Sequence, residues 1–233
     1  MAVANVRRTA LQIINTVRLK QGLLGVTGFD SDTHTNLLLN LLNEVIEEVT
    51  DFSDWPQLYR EYTVTAISSV DQYTIASVSA SADIKNLSEI SYGNRSNPLQ
   101  WVTVEEMRLL RRGSRTATGE PTFVALMGTS GSEPFVRVHP VPITADVTTM
   151  SVVYYKMPRL LVTADNTAGV VPVWPASLLV QGLYAKALLD ENEGVQTKQF
   201  DAAYAEFRKM LMEVDNRLGA DTGPMFVKIV PRV

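Results

Sequence analysis

The hydrophobic period of this chain changes twice. Up to Phe52 apolar residues recur every three or four positions, from Tyr59 they alternate with polar ones, and beyond Pro175 the helical spacing returns. A 3.6-residue stripe makes one face of a helix and a two-residue alternation makes one face of a strand. Each helix carries an apolar face that must be buried against a partner, and helices lie at both ends of the chain. The simplest arrangement packs the terminal helices together and inserts the strands between them.

The first helical stripe lies within residues 3–20 and consists of Val6, Ala10, Ile13, Ile14 and Val17. Gly22, Gly25 and Gly28 mark the loop after it, and Asp32 or Thr33 is placed to cap a second helix. The face of that helix runs Leu38, Leu41, Leu42, Val45, Ile46 and Val49, and Pro56 stops it, because the residue before a proline avoids the α region. At the other end, Pro175 suits a first helical turn, and residues 175–190 are apolar almost all round. The last helix, 197–218, shows Phe200, Ala203, Tyr204, Phe207, Leu211, Val214 and Leu218, with Gly219 as its expected C-terminal cap.

Between them, "YREYTVTAI" and "DQYTIA" read as a pair of strands joined by a turn near Ser68–Asp71. "LSEISYG" and "LQWVTV" follow, then a short helix in "VEEMRLLRR". "TGEPTFVALMG" and "PFVRVHP" form a hairpin around "TSGSE", and "TTMSVVYYKMP" is the last strand. The expected fold is therefore α+β: an antiparallel helical bundle from residues 1–56 plus 161–219, an inserted antiparallel β-sandwich or barrel module at 57–160, and an extended tail at 220–233.

Composition narrows function by exclusion. With 233 residues, 45% hydrophobic and 20% charged, the chain resembles an ordinary globular protein. No apolar run reaches 18 residues, so no membrane span or membrane partner is expected. The N-terminus lacks the apolar core of a signal peptide. There is no cysteine and only two histidines, His34 and His139, so neither disulfides nor a thiolate metal site can form, and no cofactor is expected. A net charge of −4 argues against a dedicated nucleic-acid binder. No P-loop, GxGxxG, GxSxG or HExxH occurs, and "GTSGSE" lacks the lysine of a phosphate loop and sits between strands. No enzyme is expected.

Three features remain as candidate sites. Glu44, Glu47, Glu48 and Asp51 share one face of the second helix, opposite its leucines. They read either as a solvated face or as a wall along which a polyanion slides without sticking. Arg108, Arg111, Arg112 and Arg115 are the one basic cluster; they read as solvated charge or as a docking patch for an acidic partner or a backbone phosphate. The tail "MFVKIVPRV", with Met225, Phe226, Val227, Ile229 and Val230, is competent to fold onto its own sheet or to add a strand to a neighbour.

Taken in order, "DWPQLYREYTVT", "GEPTFVALMG", "FVRVHPVPITADVTTMSVVYYKMPRLLV" and "VWPASLLVQGLYAKAL" resemble the head-to-tail connector (adaptor) proteins of tailed bacteriophages, the short-tailed type especially. The resemblance spans roughly residues 35–210. It implies a structural virion protein at the head–tail junction, made in the host bacterial cytoplasm. Such a protein docks on the portal protein and on other tail or junction proteins, as a homo-oligomeric, dodecameric ring through whose lumen double-stranded DNA passes non-specifically. It also implies that the C-terminal segment contacts the portal or a neighbouring subunit. A ring closed by rotation needs two different complementary patches on each subunit, and the arginine cluster and the acidic helix face are candidates for them. A tail-completion or tail-terminator protein and a host-side ligand-binding module are the alternative readings.

Overall fold

A computed structural model describes residues 8–67, 69–74, 84–93, 97–113, 117–130, 133–143, 148–163 and 172–221. The fold is mixed α+β, as expected. The chain forms two compact units, one from the described residues of Met1–Gln57 and Pro158–Val233, the other from those of Leu58–Met157.

The helical unit contains α1 (Ala10–Lys20), α2 (Thr33–Phe52), α4 (Ala176–Glu191) and α5 (Lys198–Asp221). Each start has a local cause. A capping box opens α1: the Thr9 hydroxyl accepts from the Gln12 amide at 3.2 Å, and the Gln12 side chain accepts from the Thr9 amide at 3.0 Å. Asp32 caps α2, accepting from the Thr35 amide at 2.6 Å. Pro175 stands at the N-cap of α4 rather than inside its first turn and makes no side-chain capping bond. The last helix does not stop where glycine predicted: α5 continues through Gly219 to Asp221, so the first two residues of the expected tail are helical. A lone glycine is tolerated in a helix at a cost of about 1 kcal/mol, so its presence permits a stop without enforcing one.

The predicted stripe of α2 is buried, and α4, apolar all round, packs against α1, α2 and α5. Gly182 explains how closely α4 approaches its neighbours. A Cβ there would lie 2.7 Å from Val45 Cγ1 and 2.8 Å from Phe207 Cε2, so no side chain fits without displacing one of them. Trp55, fully buried, donates from Nε1 to the Val49 carbonyl at 2.6 Å and meets Trp174 edge-on at 5.0 Å. One tryptophan follows α2 and the other precedes α4, and both are packed into the core of the helical unit.

The β unit contains β1 (Tyr59–Ala66), β2 (Gln72–Thr74), β3 (Ile84–Tyr92), β4 (Gln100–Trp101), α3 (Val104–Gly113), β5 (Thr118–Gly119), β6 (Phe123–Ser130), β7 (Glu133–His139), β8 (Val141–Pro142) and β9 (Thr148–Lys156). Among the described residues the sheets run β1-β9-β3, β2-β7-β6-β4 and β5-β8. The longer pairings are antiparallel, whereas the two-residue pairings β4–β6 and β5–β8 are parallel. The hairpin expected between β6 and β7 is present, with Phe123 opposite His139. Ala66, Ile90, Tyr92, Met150 and Val152 of the first sheet share one core with Tyr73, Val124, Val136 and Val138 of the second.

One predicted pairing is wrong. β1 and β2 do not form a hairpin; β1 pairs with β9, Tyr59 opposite Tyr155 through Ala66 opposite Thr148, and β2 pairs with β7. The segment read as a turn is a corner between sheets. Tyr73 stabilises it, its hydroxyl accepting from the Ile67 amide and donating to the Val70 carbonyl, both at 3.2 Å. Ser69 adopts φ 63 and its amide donates to the Pro142 carbonyl at 3.0 Å. Turn residues specify a change of direction, but the partner of the next strand is chosen by where its apolar face is buried, and Tyr73 is buried opposite Val136.

Candidate functional site

The basic cluster is built on α3. Thr103 and Glu106 open this helix with a second capping box, the Thr103 amide donating to Glu106 Oε2 at 2.7 Å and the Glu106 amide to the Thr103 hydroxyl at 3.2 Å. The bonds from Thr103 hold the Glu106 carboxyl below its ordinary range. Met107 is fully buried and anchors the helix, while Arg108, Arg111 and Arg112 occupy its more open sides. Arg115 lies outside the described residues.

The three arginines differ in what they touch. Arg111 makes an ion pair and hydrogen bond with Asp71, just before β2. Arg108 pairs with Glu105 of its own helix at 3.0 Å, both side chains largely exposed, an arrangement that contributes little. Arg112 is exposed and has no hydrogen-bond or ion-pair partner among the described residues.

A fourth guanidinium joins them that the sequence reading did not single out. Arg137 of β7 approaches the same Asp71 carboxylate at 3.4 Å and lies over the Phe135 ring at 5.6 Å. Together Arg108, Arg111, Arg112 and Arg137 line a cleft of about 490 Å³. The signal was available in the alternation of "FVRVHP": with Val136 and Val138 buried in the core, Arg137 must point to the opposite face of the sheet, and α3 packs on β6 and β7. Burial, and next the Arg111 charge, lower the Arg137 pKa, and the same two causes in the same order lower that of His139, itself 6% exposed at the end of β7. Both shifts come first from burial; the nearby Arg111 charge adds to them and Asp71 opposes them.

The acidic face divides in two. Glu44 and Glu48 each lie 3.5 Å from the Lys186 ammonium of α4, and Glu48 also accepts from the Tyr204 hydroxyl of α5 at 2.7 Å. That hydrogen bond is the main reason the Tyr204 phenol is raised above its usual pKa. Glu47 and Asp51 are exposed and have no such partner among the described residues. Half of the predicted acidic wall is thus committed to holding helices together. Met225, Phe226, Val227, Ile229 and Val230 lie outside the described residues.

Among the described residues no cluster of three or more acidic or histidine side chains is disposed to hold a metal, and no helix is long and apolar enough to cross a membrane. What the described surface offers is an arginine cluster on one unit and exposed carboxylates on the other.

No curated protein matches the chain. Compared with protein families, residues 8–227, nearly its whole length, match one family of structural adaptors, so the chain belongs to the SU10 adaptor protein family, a family of phage adaptors.

Proposed function

We propose that the protein is a structural component of the virion that sits at the head–tail junction of a short-tailed phage. Copies of the chain form a ring, twelve by the resemblance, docked on the portal and presenting a surface for the tail components below. The genome passes through the lumen without being chemically altered. The observation that carries this reading is the family match over residues 8–227.

Two further features support it. A ring subunit must keep its shape under load while joining different partners, and the helical unit supplies a core in which α4 is buried on almost every side. A lumen should not trap a polyanion, and a chain of net charge −4 opposes non-specific adhesion of DNA. The segment 222–233 is the part assigned to the portal or a neighbour, through Met225, Phe226, Val227, Ile229 and Val230.

The test is to mix the purified protein with the portal ring of the same phage and image the product by electron microscopy, beside a chain ending at Asp221. The expected product is an added ring below the portal, lost on truncation. If neither chain associates with portals, the junction reading fails, and binding to isolated tail tubes then identifies a tail-completion protein.

A further inference from the structure

The arginine cleft carries more positive charge than the two carboxylates paired with it, Asp71 and Glu105, can balance. Four guanidiniums line it; Asp71 is shared by Arg111 and Arg137, and Glu105 reaches Arg108 only across an exposed surface. Side-chain exposures of 26% for Arg111, 18% for Arg137 and 19% for Asp71 mark that trio as a half-buried base, held in place by its own ion pairs. Arg108 and Arg112, exposed and one helical turn apart, line the same cleft. Like charges gathered in one cleft repel, and an incoming anion relieves that repulsion while meeting donors that are already positioned.

Two kinds of anion are available in a phage particle, phosphodiester and carboxylate. The cleft favours the carboxylate. Arg137 covers a face of Phe135, so that face is not open for a base to stack on. The complement is also present on the same chain. Glu47 and Asp51 are exposed on α2 without a partner among the described residues, while their neighbours Glu44 and Glu48 are taken by Lys186 and Tyr204.

The spacing agrees as well. Arg108 and Arg112 are four residues apart on one helix, and Glu47 and Asp51 are four apart on another. At 1.5 Å per residue each pair is separated by about 6 Å along its axis, so two parallel rungs can form without distorting either helix.

We propose that the cleft of Arg108, Arg111, Arg112 and Arg137 is an anion site for carboxylates, occupied in the assembled particle by Glu47 and Asp51 of a neighbouring copy. This rests on the ring reading and makes the ring contact heterologous, one patch from each unit of the chain. Arg108 and Arg112 form the exchangeable rungs; Arg111 and Arg137, fixed by Asp71, supply the field behind them. The exposed Arg108–Glu105 pair is surrendered on contact, at little cost.

The experiment uses the full-length chain and portal rings, with ring occupancy read by electron microscopy and native mass spectrometry. R108E/R112E and E47R/D51R are each expected to lower the affinity of ring formation on the order of a hundredfold, since each sets like charges against one another. The quadruple variant carrying both pairs of changes reverses both patches together and is expected to restore the ring. Because all four positions are exposed, each variant should keep the circular dichroism spectrum of the wild type, which is checked first. Wild-type rings with R108E/R112E assembling equally well would overturn the neighbour contact and leave the junction reading intact. A correctly folded quadruple variant that fails to assemble would overturn it too. Duplex DNA bound by the wild type and lost in R108E/R112E would reassign the cleft to phosphate. No ring from the wild type removes the junction reading, and the contact with it.

Discussion

Arg18 shows how a single polar residue determines a connection that no hydrophobic stripe specifies. It is 6% exposed; Nε donates to the Leu24 carbonyl at 2.9 Å, and Nη1 donates to the Thr35 hydroxyl at 2.9 Å and to Asp32 at 3.1 Å. One guanidinium thereby joins α1, the glycine-containing loop and the start of α2. Asp32 at the centre of this network is held at about 2, below the ordinary 3.8, chiefly by its hydrogen bonds from Thr35; burial opposes them, and the hydrogen bond and charge of Arg18 add to the lowering. A carboxyl whose pKa is lower folded than unfolded binds more protons when unfolded, so its stabilising contribution is complete above pH 3.8 and fades as pH falls toward 2. In Asp32→Asn the cap acceptor survives but the titration does not. The denaturation midpoints of wild type and this variant are therefore expected to converge as pH falls through that window. A gap that stays constant would show that Asp32 does not titrate with folding.

At the scale of elements, packing overrides two local signals. Gly182 occurs in mid-helix, where propensity alone favours alanine by about 1 kcal/mol, yet the approach of Val45 and Phe207 leaves no room for a methyl group. Overpacking costs roughly 1–3 kcal/mol, so Gly182→Ala is expected to destabilise the helical unit by about 1 kcal/mol net, seen as a lower urea midpoint. An increase in stability would mean that α2 and α5 yield without strain. Gly219 presents the converse case, a stop signal through which α5 continues to Asp221. β1 is the third element where context decides. Its Tyr59–Ala66 alternation is a valid strand pattern, but the pattern is equally compatible with β2 or β9 as partner, and in the folded unit it pairs with β9.

For the whole molecule, the pairing of the first and last strands of the β unit has a consequence. Tyr59 and Tyr155 lie opposite one another in register, so the chain enters and leaves that unit at adjacent points, about 5 Å apart for paired antiparallel residues. Residues 58–157 also have their own core. This segment expressed alone is expected to unfold cooperatively with its strand content intact, measured by circular dichroism against urea; a non-cooperative transition would show that it depends on the helices. Much of the molecule was legible beforehand: the capped start of α2, the apolar wrap of α4, the hairpin of β6 and β7, the α+β class and the kinship with phage adaptors all follow from periodicity, caps and ordered motifs within short windows. Other features were not. Nothing local singled out Arg137, Asp71 read as part of a turn, and Glu44 and Glu48 could not be told from Glu47 and Asp51 by helical phase alone. Periodicity states which face a residue occupies, because it repeats with the backbone. What lies across that face depends on residues far away in sequence, 156 positions in the case of Glu48 and Tyr204. The sequence by itself therefore determined the kinds of elements and their order, and only the tertiary structure decided which strands pair, which charges are spent inside the fold and which remain for a partner.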